Sequence, residues 1–200
     1  MMKMHVFTLI GLLVACSAIA QPPRTEPPKA VMVLEDQFER KQDIAQFKGD
    51  VLVILYGDRE GMPANKGLGE KLYLQYHPTA KGQTGAKVAK APVIPVLGVA
   101  DGMPSPDVRV LPVVCLGKVP DVVKNIVRSR VKKESPEGLV LLDFESKMKD
   151  QFGLKEGVPN LVVIDAQGRV RMKSSGELDA ASYAKLLQAI DFLRNEALAK

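Results

Sequence analysis

The chain has 200 residues, 46% of them hydrophobic and 26% charged, the composition of a globular protein able to fill a core. With no Trp and 5% aromatics, that core is aliphatic, and two cysteines are too few for a disulfide framework. The formal net charge of +5 is mildly basic. It would favour anionic surfaces, but it does not by itself suggest nucleic acid binding.

Residues 1–20 read as an export signal. Lys3 supplies a positive start, and residues 6–15 form an apolar stretch, shorter than the roughly 20 residues that span a bilayer. Two processing readings stand open. Ala18-Ile19-Ala20 before Gln21 is an A-x-A site for cleavage after residue 20. Leu13-Val14-Ala15-Cys16 is similar to the bacterial lipobox, which would make 1–15 the leader and Cys16 a lipidated, membrane-anchored N-terminus. Either route takes the protein out of the cytoplasm, to the periplasm or to the membrane as a lipoprotein of the cell envelope. Cleavage after Ala20 removes Lys3 alone among the charges, which leaves +4, and leaves Cys115 as the one cysteine. Residues 21–30, with Pro at 22, 23, 27 and 28, form an extended linker to a single domain at 31–200.

From there the pattern is structured. Residues 31–33 are a short strand, 36–41 a turn or hairpin, and 43–47 a helical turn closed by Gly49. Residues 51–56, Val-Leu-Val-Ile-Leu-Tyr, are a continuous apolar run bounded by turn residues, the mark of a strand covered on both faces. Met62-Pro63 opens a helix that ends by His77-Pro78, with Pro63 in the first turn and Gly67 and Gly69 weakening the interior. Residues 79–91 read as a solvated loop with Lys81, Lys87 and Lys90 and no acid. An anion or membrane-surface contact is the alternative there. After a broken apolar stretch and a turn cluster, 108–116 is a strand in which Pro112 points to an edge or a bulge.

Asp121 begins a helix with Val122, Val123, Ile126, Val127 and Val131 on one face. Lys124, Arg128, Arg130, Lys132 and Lys133 lie mostly on the other. Residues 139–143 are a buried strand, and 145–151 a short helix ending near Gly153. Residues 161–164 and 169–172 flank a turn in which Gly168 takes positive φ. Asp179 caps a last helix carrying Tyr183, Leu186, Leu187, Ile190 and Leu193. Strands separated by helices, closed by a hairpin and a helix, make a three-layer α/β domain with a mixed central sheet.

That order, with Phe47-Lys48-Gly49-Asp50 before the strand at 51–56 and Gly157-Val158-Pro159 before the strand ending in Asp165-Ala166-Gln167-Gly168-Arg169, resembles the thioredoxin-like superfamily, most closely its redoxin and peroxiredoxin-like branch. The resemblance covers about 31–198. It implies a cis bond before Pro159, in a loop facing the active site. It also implies a groove between the Asp58-Arg59-Glu60 loop and the Pro159-Asn160 loop that would hold an extended segment of a protein or peptide partner. The redox relatives carry their cysteines after the first core strand, where this chain has Asp58-Arg59-Glu60-Gly61-Met62-Pro63, so their catalytic residues transfer to nothing here. The expected role is non-catalytic binding or scaffolding, a pseudoenzyme without cofactor or metal.

Cys115, at the end of an apolar run, reads as a buried and inert thiol. The alternative is a thiol oxidoreductase or peroxidase that uses it. His77 is the single His after the leader, too few ligands for a zinc or copper site. Asp58 and Glu60 form a carboxylate pair suited to a cation or to acid–base work, with a salt-bridged solvated loop as the plainer reading.

Overall fold

The computed structural model describes residues 27–84, 86–99 and 103–199. The leader, both of its processing sites and Cys16 lie outside the described residues. Seven strands form one mixed sheet: β1 Val33–Asp36, β2 Lys41–Asp43, β3 Val51–Gly57, β4 Val108–Cys115, β5 Leu141–Asp143, β6 Asn160–Ile164 and β7 Val170–Ser175. Their order across the sheet is β2-β1-β5-β4-β3-β6-β7. β3, β4 and β5 run parallel, and the remaining neighbours pair antiparallel. The helices are α1 Met62–Tyr76, α2 Ala86–Ala89, α3 Asp121–Glu134, α4 Lys147–Phe152 and α5 Ala180–Leu198.

β3 is apolar throughout because both its faces are covered. Leu52, Ile54 and Tyr56 point into a core with Leu34, Ile44, and Met148 and Phe152 of α4. Val51, Val53 and Leu55 point into a second core with Leu72 and Tyr76 of α1 and Leu186, Ile190 and Leu193 of α5. The period-two alternation of one strand thereby builds both cores. Gly69 sits in α1 where a Cβ would stand 3.0 Å from Leu55 Cδ1, so the glycine that weakens the helix locally lets it approach the sheet. Asp179 caps α5 through the Ser182 amide, and Gly168 turns the β6–β7 hairpin at φ 80°. Asp165 fixes that hairpin by accepting from the Gln167 and Arg169 amides and pairing with Arg169 and Arg171, which also reach Glu196 on α5.

The structure corrects several boundaries. The first strand begins at Val33, not Val31, which is exposed, and the expected turn or hairpin at 36–41 is a hairpin in which β2 pairs with β1 across the turn that Asp36 holds. The loop expected at 79–91 overlaps a 3-10 turn at Pro78–Ala80 and holds the short α2. Residues 28–30, given to the linker, pair with the hairpin: Ala30 N–H donates to Gly168 O and Val170 N–H to Pro28 O. Pro112 lies in an interior strand, not at an edge. β5 begins to pair with β4 only at Val113, so Pro112 stands where β4 has a registered neighbour on the β3 side alone, and its missing donor breaks no ladder with β5.

α3 departs furthest from its pattern. None of its residues is buried. Its inward face is mixed: Val127 and Val131 are half-buried, and beside them Lys124 and Arg128 lie over the Phe144 ring, Lys132 lies over Phe38, and Arg128 pairs with Glu35. Val122 and Ile126 point outward at 70% and 62% exposure. Ile126→Ser is therefore expected to change stability by no more than about 0.5 kcal/mol. Met148→Ala, in the core, should lose about 2–5 kcal/mol. Urea unfolding of the two variants checks the contrast.

Candidate functional site

The parallel strands β3, β4 and β5 end side by side, and in open α/β sheets such strand ends are where ligand sites form. Gly57 is in register with Val114, and Cys115 with Asp143. β6 starts at the same end, with Asn160 opposite Tyr56. The topology thus brings together two loops about 100 residues apart in sequence, the Asp58 loop entering α1 and the Pro159 loop entering β6.

The two loops are bonded to each other. Asp58 Oδ1 accepts from the amides of Glu60 and Gly61, and Oδ2 accepts from the Gly157 amide at 2.7 Å. Burial raises this carboxyl, but the amides of Gly157, Gly61 and Glu60 outweigh it and hold it below the ordinary carboxylate range. Gly61 lies so close to the second loop that a Cβ would stand 2.4 Å from Val158 O. A Cβ on Gly157 would stand 3.1 Å from Glu60 Oε2. Asn160 is buried and turned into its own loop, donating from Nδ2 to Lys155 O and Val158 O and accepting at Oδ1 from the Lys155 amide and the Ser175 hydroxyl.

Of the five residues predicted to line a groove, Asp58 and Asn160 are therefore internal fasteners whose polar atoms are already engaged. Arg59 and Glu60 are exposed and Pro159 is half-buried, and these three form the accessible surface. The cis bond expected before Pro159 is absent, and the peptide is trans. Trans is the ordinary state of X-Pro bonds. Here the loop's path is set by the Asn160 bonds and the Gly61 contact.

Beside this surface lies a polar cluster that the sequence pattern did not assemble. Asp143 is buried at the end of β5 and caps α4, accepting from the amides of Glu145, Lys147 and Met148. The Tyr56 hydroxyl lies 3.4 Å from Asp143 Oδ2. Burial, with Cys115 and Asp143 as neighbours, pushes the Tyr56 phenol far above its ordinary range and keeps it protonated. Cys115 is partly exposed rather than buried, with Sγ 3.8 Å from Ser146 Oγ, and Ser146 takes φ 57°. An acid closing an apolar strand was the one local signal for this cluster. Asn65, in the first turn of α1, is buried with neither side-chain polar atom bonded among the described residues. His77 is at the far end of α1, where its ring bonds Asp107 at 2.8 Å.

No family model and no curated protein matches the chain. Solved structures do. A candidate thioredoxin from Neisseria meningitidis is 18% identical with a TM-score of 0.54, covering 88% of this chain and 95% of its own. A candidate thiol:disulfide interchange protein DsbE from Chlorobium tepidum is 18% identical at TM-score 0.52, covering 84% and 98%. The pneumococcal exposed lipoprotein thioredoxin of Streptococcus pneumoniae is 17% identical at TM-score 0.50, covering 80% and 99%. The chain has the thioredoxin-like fold. Within that fold, the segment between β3 and α1 carries Asp58 and two exposed charged side chains and no sulfur.

Two outcomes test the fastening. Gly61→Ala forces backbone apart and should destabilise by about 1–3 kcal/mol. Asp58→Ala should lose about 1–2 kcal/mol near neutral pH. Because the folded Asp58 value is lowered, its contribution is complete above the unfolded value of about 3.8 and is lost as pH falls through the folded value. Urea midpoints should therefore separate wild type from Asp58→Ala at neutral pH and converge in strong acid.

Proposed function

We propose that the protein is an exported, non-catalytic binding or scaffold protein of the bacterial cell envelope, and that the exposed surface of Arg59, Glu60 and Pro159 contacts a protein or peptide partner. One observation carries this reading. The place after the first core strand, where the redox relatives hold their thiols, is occupied by a carboxylate whose two oxygens are spent on three backbone amides. That group neither attacks a disulfide nor forms one. The surrounding geometry, two loops held together at the sheet's end, survives without sulfur and presents a fixed charged edge. Export rests on the leader reading, and the likeness in fold to the exposed lipoprotein thioredoxin of Streptococcus pneumoniae supports such an address.

A second reading has its own support. Cys115 is partly exposed and stands among Tyr56, Asp143 and Ser146 at the same sheet end. A one-cysteine thiol oxidoreductase or peroxidase would use it.

The two readings separate in one set of measurements. The binding reading expects no turnover of peroxide or of a protein disulfide, identical in wild type and Cys115→Ser. It also expects that a photo-crosslinker placed next to Arg59 captures an envelope protein, with loss of capture in Arg59→Ala/Glu60→Ala. Turnover that disappears in Cys115→Ser would replace the binding reading with the enzyme.

A further inference from the structure

The apolar residues of α3 are divided: Val127 and Val131 are half-buried on its inward side, while Val122, Val123 and Ile126 are exposed. Its inward polar contacts are made by Lys124, Arg128 and Lys132, one every four residues, against Phe144, Glu35 and Phe38. The Gln37 amide fastens the segment after the helix by donating to Ser135 O and Gly138 O. With the cations so used, Val122, Val123 and Ile126 are left on the surface, and none of the helix is buried in the body of the protein. Scattered exposed hydrophobics are ordinary, but three within five residues on the first turns of one helix form a patch.

The surroundings of that patch indicate what would cover it. Lys118, just before the helix, and Lys133 along its outer side are exposed, as is Arg130, which pairs with Glu134 at 2.8 Å. The helix carries five cations against two acids, Asp121 and Glu134. A second copy docked face to face would set these cations against their own like. An anionic surface with an apolar interior matches both features at once, since apolar side chains enter the acyl boundary while Lys and Arg meet the headgroups. We infer that α3 docks on an anionic lipid bilayer through Val122, Val123 and Ile126, with Lys118, Arg130 and Lys133 on the headgroups. This contact is separate from the Arg59–Glu60–Pro159 surface and does not depend on acylation of Cys16.

The test uses the full chain with Cys16→Ser and Cys115→Ser, and an environment-sensitive fluorophore at Ser129→Cys on the outward side of α3. Phosphatidylglycerol vesicles should shift the emission to the blue and raise it several-fold, and salt should reverse the change as screening shortens. Neutral phosphatidylcholine vesicles, which the apolar leader would still engage, should leave the probe unchanged. Val122→Ser/Ile126→Ser and, independently, Arg130→Glu/Lys133→Glu should abolish the response while circular dichroism shows an intact fold. The inference is overturned by an equal response on neutral vesicles, by no response on either, or by a response that both variants retain. A concentration-dependent shift without lipid, with a dimer mass by light scattering, would assign the face to a second copy. A shift with polyglutamate while vesicles stay silent would assign it to an acidic polypeptide.

Discussion

Seven consecutive residues of β3, each shielded from water, set the conditions for everything around them. A strand buried on both faces must be apolar at every position and must find a layer on each side. α1 and α5 supply one layer, and α4 with the N-terminal segment supplies the other. Burying a Leu, Ile or Val side chain is worth about 1.5–3 kcal/mol. The run from Val51 to Leu55 therefore contributes to both cores more than any surface ion pair could, since such pairs lie near 0–1 kcal/mol. It also fixes where the chain must become polar again, at Gly57 and Asp58, and so where a site can form.

At that end the protein spends polar groups on structure. Asp58 and Asn160 each hold backbone amides or carbonyls that a loop junction would otherwise leave unpaired. Asp143 does the same for the start of α4, where Ser146 adopts a left-handed conformation and makes no capping bond of its own. These carboxylates and amides are positioned like catalytic groups but are already satisfied. The exposed side chains there are Arg59 and Glu60, with Pro159 half-buried and Cys115 partly exposed.

α3 shows why amphipathic pattern and burial are separate facts. Arg128 reaches both an acid and an aromatic face, and Lys124 shares that ring, so the basic face has partners on the body of the protein. Cation–π contacts of this kind contribute about 0.5–2 kcal/mol each. Here they hold a helix whose apolar residues divide between a half-buried side, Val127 and Val131, and an exposed one, Val122 and Ile126.

The sequence by itself determined the layers. The apolar run of β3, the Pro63 and Asp179 helix starts and the Gly168 turn are local, since each follows from the period of side chains along a strand or helix or from the backbone freedom of one residue. It also showed that the loop after β3 holds no thiol. Tertiary structure alone decided which of those residues are free to act. That Asp58 bonds Gly157, that Gly61 must be glycine because Val158 lies against it, that Tyr56 meets Asp143 and Cys115 meets Ser146, and that Arg128 of α3 pairs with Glu35 are contacts between segments about 30 to about 100 residues apart. No local period encodes such contacts, because they depend on the order in which strands pair across the sheet.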